Sequence, residues 1–274
     1  MTRTAPPRLS LDELFLEVSL TNQKHLVVEG RTDERFLRAW LRAAADSHPV
    51  AVTPVENLEV DAFELASHGL SDGARGRVLI VALHAHEQGI DIRCVADRDT
   101  GSSVAAHSYD TLLWTDYPAI ESYALHAETL DLANLLSFNE QLPSGAELVD
   151  SLTDPLRELF AIRSMHPNLQ RPNYGAAFKG GGSLRQFDSS KVVPPEIQAV
   201  MSAYPRPEDA DSRLFAYGHD IGELLLGAYG GKLKNKAGLA NLGAVEAALR
   251  SALLLSGYIA TEPLFLKLSV WVAT

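Results

Sequence analysis

Two short stretches concentrate the residue types that could do chemistry. "HLVVEGRTDERFLRAWL" (25–41) carries Glu29 at the end of an apolar run and Asp33 four residues on, and "IDIRCVADRD" (90–99) ends on Asp97, Arg98 and Asp99. A strand usually ends in a turn residue, so a run that ends on a carboxylate raises the question of whether other carboxylates arrive at the same place. Three carboxylates within a few ångströms of one another are strongly unfavourable. A divalent cation removes that cost, and oxygen ligands of this kind suit Mg²⁺ or Mn²⁺. Gly30 is expected to permit close backbone approach beside Glu29.

Whether these groups meet depends on the elements that carry them. Ser10 and Glu13 have capping-box spacing ahead of an amphipathic helix, with Leu11, Leu14, Phe15 and Val18 on one face. "HLVVEG" reads as a buried strand, too short and too β-branched for a helix. "TDERFLRAWLRAAAD" follows as a helix. Residues 50–55 read as a second strand, 73–89 as a helix ended by Gly89, "IDIRCVADRD" as a third strand and 111–115 as a fourth. Alternation of this kind implies a mainly parallel sheet with helices on both faces. In such a sheet functional groups gather at the carboxyl ends of the strands. If the first and third strands are neighbours, Glu29, Asp97 and Asp99 converge. On a strand, Asp97 and Asp99 share a face and Arg98 points away.

Beyond residue 127 helical segments are expected at 128–137, 145–162, 195–203, 219–229 and 238–257, separated by Pro/Gly-rich loops. The last stretch, Leu264 to Val272, alternates like a strand. The 274 residues suffice for one large or two modest domains. No apolar run approaches the ~20 residues of a membrane span, the first ten residues read as a short disordered lead without a signal-peptide core, and Cys94 stands alone. A cytoplasmic protein that does not enter membranes is the expectation. Net charge is −11, unevenly placed: residues 1–160 carry 26 acidic against 12 basic side chains, and residues 161–274 carry 9 against 12.

"VVEGRTD" followed by "VADRD" resembles the toprim (topoisomerase–primase) domain and the nuclease domains of the overcoming-lysogenization-defect (OLD) family. "LVVEGRTDERFL", "CVADRD" and "LLWTDYPAIESYAL" are most similar to a bacterial family of toprim proteins that includes the effector of the PARIS anti-phage system, where an ABC-type ATPase accompanies it. "AYGHDIGELL" (216–225) resembles a helical element of that family. The resemblance covers residues 24–126 well and the helical remainder loosely. It implies a toprim-like Rossmannoid α/β fold followed by a mostly helical region, with boundaries at 1–23 (lead and helix), 24–127 (catalytic domain) and 128–274. It implies Glu29 as metal-linked general acid/base, Asp97 and Asp99 as Mg²⁺ ligands, and Asp33 in a second-metal or supporting role, with Glu121 placed to support the site.

The activity implied is metal-dependent hydrolysis of phosphodiester bonds. The closest resemblance points to RNA, tRNA included, and the OLD resemblance allows DNA. A topoisomerase would need a tyrosine nucleophile, and nothing marks Tyr109, Tyr117 or Tyr123 as activated. The chain lacks a primase's zinc cysteines and any nucleotide-triphosphate loop, so ATP would come through a separate ATPase. For nucleic acid, Lys179, Arg185 and Lys191 (with Arg163 and Arg171) and the run Lys232, Lys234, Lys236 are the candidate phosphate contacts. His219 and Asp220 read as a packed histidine and a helix-capping aspartate before a catalytic pair. The alternative function is a regulatory toprim module that docks on an ATPase and does not cut. Self-association is left open.

Overall fold

The computed structural model describes residues 8–21, 23–44, 50–167, 169, 174–178 and 183–274. The chain forms two units. The first holds residues up to Thr115 together with Thr261–Thr274, and the second holds Asp116–Ala260.

The first unit is α/β. Its elements are β1 (Leu9–Ser10), α1 (Leu11–Thr21), β2 (Lys24–Val28), α2 (Arg31–Ala44), β3 (Val50–Pro54), β4 (Leu58–Glu59), α3 (Ala62–Ser67), α4 (Ala74–Glu87), β5 (Ile92–Ala96) and β6 (Leu112–Trp114). The main sheet has the order β3-β2-β5-β6, with every pair parallel, and β1 pairs with β4 apart from it. Both faces of the sheet are buried, and alternate residues serve opposite faces. Val27, Ile92, Cys94 and Ala96 pack with α1 and α4 in one apolar core, while Leu26 and Val28, equally buried, face the other way. The Ser10–Glu13 capping box forms as expected, with Ser10 N–H donating to Glu13 Oε2 at 2.8 Å and Glu13 N–H donating to Ser10 Oγ at 3.2 Å.

The second unit is helical: α5 (Ala127–Leu136), α6 (Gly145–Met165), α7 (Pro195–Gln198), α8 (Gly218–Lys232) and α9 (Leu242–Ser256), with short 3₁₀ turns between. The helix expected at 195–203 is one turn of α-helix and a 3₁₀ turn at Met201–Ala203.

The last element, α10 (Pro263–Ala273), is a helix and not the strand its alternation suggests. Pro263 sits at a position where proline starts helices well. The buried residues are Leu264, Phe265, Leu268, Trp271 and Val272, a helical spacing, whereas Leu266 and Val270 of the alternating set are exposed. α10 belongs to the first unit. Phe265 meets the ring of Trp40 edge-on at 5.0 Å, and Trp271 Nε1–H donates to Asp91 at 3.0 Å. The unit boundary therefore falls at 115/116 where 127/128 was expected, and residues 261–274 leave the helical region. Among the described residues no single helix is long and apolar enough to cross a membrane.

Candidate carboxylate site

The chain leaves β2 for β3 on one side, and the next strand of the sheet, β5, lies on the other side of β2. The carboxyl ends of β2 and β5 therefore mark the point where strand order reverses, which is where open α/β sheets form a crevice. Val28 is in register with Val95, so Glu29 leaves the sheet level with Ala96 and Asp97 comes next. Asp97 N–H donates to Glu29 Oε1 at 2.9 Å. The two expected site residues meet, and one hydrogen bond ties the strand ends together.

Asp99 arrives differently from the expectation. β5 ends at Ala96, so Asp97 and Asp99 do not share a strand face. Asp99 has φ 49°, in the left-handed region that aspartate tolerates better than most residues. The turn is pinned by three hydrogen bonds, two within the backbone and one to a side-chain hydroxyl: Thr115 N–H to Ala96 O at 3.0 Å, Gly101 N–H to Arg98 O at 2.8 Å, and Arg98 N–H to Thr115 Oγ1 at 2.9 Å. Thr115 itself is buried.

Asp33 Oδ2 accepts the Gly30 N–H at 3.2 Å, so this side chain closes the start of α2 as one half of a capping box. Its charge also bears on Glu29 and Asp97. Gly30 does not play the expected part: a Cβ there would meet only Asp33 Oδ2, at an ordinary 3.7 Å.

The residue that sequence reasoning missed is Arg75. It is the second residue of α4, forms an ion pair with Asp99, and places Nε 3.5 Å from Glu29 Oε1. A basic side chain in a helix's first turn, opposed to the dipole and set among glycines in "GARG", was the available signal.

The electrostatics follow from this geometry. Burial first, then the charges of Glu29, Asp33 and Asp99, push Asp97's carboxyl well above the usual range, with Arg75 opposing. Burial likewise raises Glu29, against the pull of Arg75 and the Asp97 N–H. The donor set is all oxygen and carries negative charge in excess of its arginine, which suits a hard divalent ion in kind. Among the described residues no group of three or more His, Cys, Asp or Glu is already arranged to hold a metal ion. Arg75, bonded to Asp99 and beside Glu29, stands among the donors that would have to close on one.

Other expected site residues have other partners. Glu121 belongs to the second unit, in a buried 3₁₀ turn (Ile120–Ala124), and pairs with Arg250. Gly218 is needed beside it, since a Cβ there would lie 2.6 Å from Glu121 Oε2. Asp220 is not a helix cap: almost fully buried, it receives Arg163 Nε–H at 2.8 Å, a second Arg163 N–H at 2.6 Å, and the Tyr174 hydroxyl. His219 is not packed away: half-exposed, it bonds Glu246 at 2.6 Å through Nδ1. The two neighbours thus serve different partners. Tyr123 OH donates to Asp116 Oδ2 at 2.8 Å, and Arg213 covers the ring of Tyr117.

Of the expected nucleic-acid contacts, Lys232, Lys234 and Lys236 are exposed where α8 runs into a π-helical turn (Leu233–Ala237), and Lys191 is exposed. Arg185 lies 3.3 Å from Asp150, both largely in solvent. Lys179 and Arg171 lie outside the described residues, as do residues 1–7 of the expected lead. No protein-family model matches the chain, and no curated protein matches it in sequence.

Proposed function

We propose that this protein is a toprim-type, Mg²⁺- or Mn²⁺-dependent nuclease that hydrolyses phosphodiester bonds. The observation that carries the reading is the convergence of Glu29 and Asp97 at adjoining parallel strand ends, at the reversal of strand order, joined by the 2.9 Å bond and ringed by Asp33 and Asp99. Glu29, Asp97 and Asp99 would hold the ion. A bound divalent ion supplies an activated water and neutralises charge on a phosphate oxygen. Glu29's carboxyl, raised by burial, holds a proton closer to neutral pH than an ordinary glutamate, the direction a general acid/base requires. The Asp97 N–H fixes which way that carboxylate faces.

RNA, tRNA first, is the preferred substrate, with DNA the other. That preference, the role as effector of a bacterial phage-defence system and control by an ABC-type ATPase rest on the resemblance of "LVVEGRTDERFL", "CVADRD" and "LLWTDYPAIESYAL", and the cytoplasmic setting rests on the lone Cys94 and the composition. Cleavage of labelled tRNA and of plasmid DNA, with Mg²⁺ or Mn²⁺ and beside Glu29→Ala, tests the reading. Metal-dependent cutting that disappears in the variant is expected. Equal cutting by both would remove Glu29 from the chemistry.

One observation favours a second reading, a toprim module that docks on an ATPase without cutting. Arg75 neutralises part of the cluster from within, as a retired site could. A partner complex that functions equally with Asp97→Asn and Asp99→Asn would establish it.

A further inference from the structure

Arg75 sits where helix physics argues against it. The first turn of a helix favours anions, yet α4 carries this arginine as its second residue and has no acidic residue in that turn. Its placement is built. Gly73 is the N-cap residue, and a Cβ on Gly76 would lie 2.1 Å from the backbone oxygen of Ser71, so only glycine lets the helix start this close to the preceding turn. The guanidinium is engaged but not saturated. One of its terminal N–H groups bonds Asp99, while Nε is buried, 3.5 Å from Glu29, without a hydrogen-bond partner among the described residues. Arg163, by contrast, turns two parallel bonds of its fork on the single carboxylate of Asp220. Arg75 instead spreads one charge over Glu29, Asp97 and Asp99.

We propose that Arg75 is a tethered counter-cation of this site: it neutralises Glu29 and Asp99 while no divalent ion is present, and an entering divalent ion has to displace it from both. This rests on the metal-site reading above. The physical basis is competition for the same oxygens. Arginine carries only donors, so each carboxylate lone pair it holds is one the ion cannot use. A single positive charge also balances less of the cluster than a divalent one. Removing the guanidinium therefore has two effects of opposite sign. The metal-free fold loses its counter-charge and melts lower. The ion no longer has to break the charge-assisted bond to Asp99 and the ion pair with Glu29, so it binds about tenfold tighter or more. An arginine that merely supports the fold would lower both.

The test is calorimetric titration of Mn²⁺ into the full chain, with melting temperatures recorded with and without Mn²⁺. The proteins are the wild type, Arg75→Gln, Arg75→Lys and, as control on the same helix, Arg77→Gln, whose partner is Asp72 at 2.7 Å. Arg75→Gln is expected to melt lower without metal, bind Mn²⁺ about tenfold tighter or more, and gain more from Mn²⁺ than the wild type does. Arg75→Lys, which keeps the charge and loses the fork, should fall between. Arg77→Gln should bind as the wild type. Equal or weaker Mn²⁺ binding by a folded Arg75→Gln would overturn the proposal and leave the metal site standing. No Mn²⁺ binding by any of the four would overturn both. If Arg75→Gln does not fold, Arg75→Lys decides, because tighter binding supports displacement and unchanged binding refutes it.

Discussion

The two units treat charge in opposite ways. In the helical unit the buried carboxylates are paired one by one with a cationic side chain or a histidine: Glu121 with Arg250, Asp220 with Arg163, Glu246 with His219, and half-buried Asp211 with Arg213. In the sheet unit one arginine is set against Glu29, Asp97 and Asp99, with Asp33 adding a fourth negative charge. A matched pair is stable in isolation and costs dearly only when one partner is removed. An unmatched cluster is a standing cost that packing elsewhere must offset, and perturbed carboxylates of this kind concentrate at functional sites. Under the proposed function, the contrast separates charges that build the fold from charges kept for a bound ion.

The comparison can be broken first in the helical unit. Arg250→Met leaves Glu121 buried without its guanidinium, and about 3–5 kcal/mol of stability should be lost in urea titration. Wild-type stability would remove Glu121 and Arg250 from the structural set. Gly218→Ala pushes a methyl against the same carboxylate, with an expected cost of about 1–3 kcal/mol. A third test concerns His25, buried in the middle of β2's sheet with no hydrogen bond to either ring nitrogen among the described residues and Glu17 4.0 Å away. Burial lowers its pKa from 6.5, with Glu17 opposing. Below about pH 6.5 the unfolded chain takes up a proton that the folded chain refuses, so stability falls as pH drops, by at most about 1.4 kcal/mol per pH unit. Urea midpoints at pH 7.5, 6.5 and 5.5 should show a shallower fall for His25→Leu, and an unchanged slope would clear His25. The smallest stability change belongs to the exposed lysines. The triple Lys232→Ala, Lys234→Ala, Lys236→Ala should stay within about 0.5 kcal/mol of the wild type while weakening oligonucleotide binding and flattening its salt dependence.

The sequence showed most of the sheet and half of the site. Glu29 and Asp97 were legible because each ends an apolar run, and the order of strands and helices made the two runs neighbours. Asp99 was legible as a carboxylate but not in its geometry, since the left-handed turn depends on Thr115, sixteen residues away. Arg75 was hidden because its partners are 46 residues before it and 24 after it. The partner of Glu121 was hidden for the same reason: nothing near it in sequence points to Arg250. The strand expected at 264–272 failed because Phe265 and Trp271 complete a helical stripe with Leu264, Leu268 and Val272 in the same nine residues, and packing against Trp40 decided between the two periods.

The most direct test pairs Asp97→Asn with Asp220→Asn and reads two quantities, the metal-free melting temperature and Mn²⁺ affinity. Asp97→Asn removes a charge that burial and its neighbours disfavour, so it should melt higher by the equivalent of about 1 kcal/mol and lose Mn²⁺ binding. Asp220→Asn strips Arg163 and Tyr174 of their partner, so it should melt lower and bind Mn²⁺ as the wild type does. An Asp97→Asn protein that melts lower and still binds Mn²⁺ at wild-type strength would contradict the division of the molecule into a working cluster and a structural one.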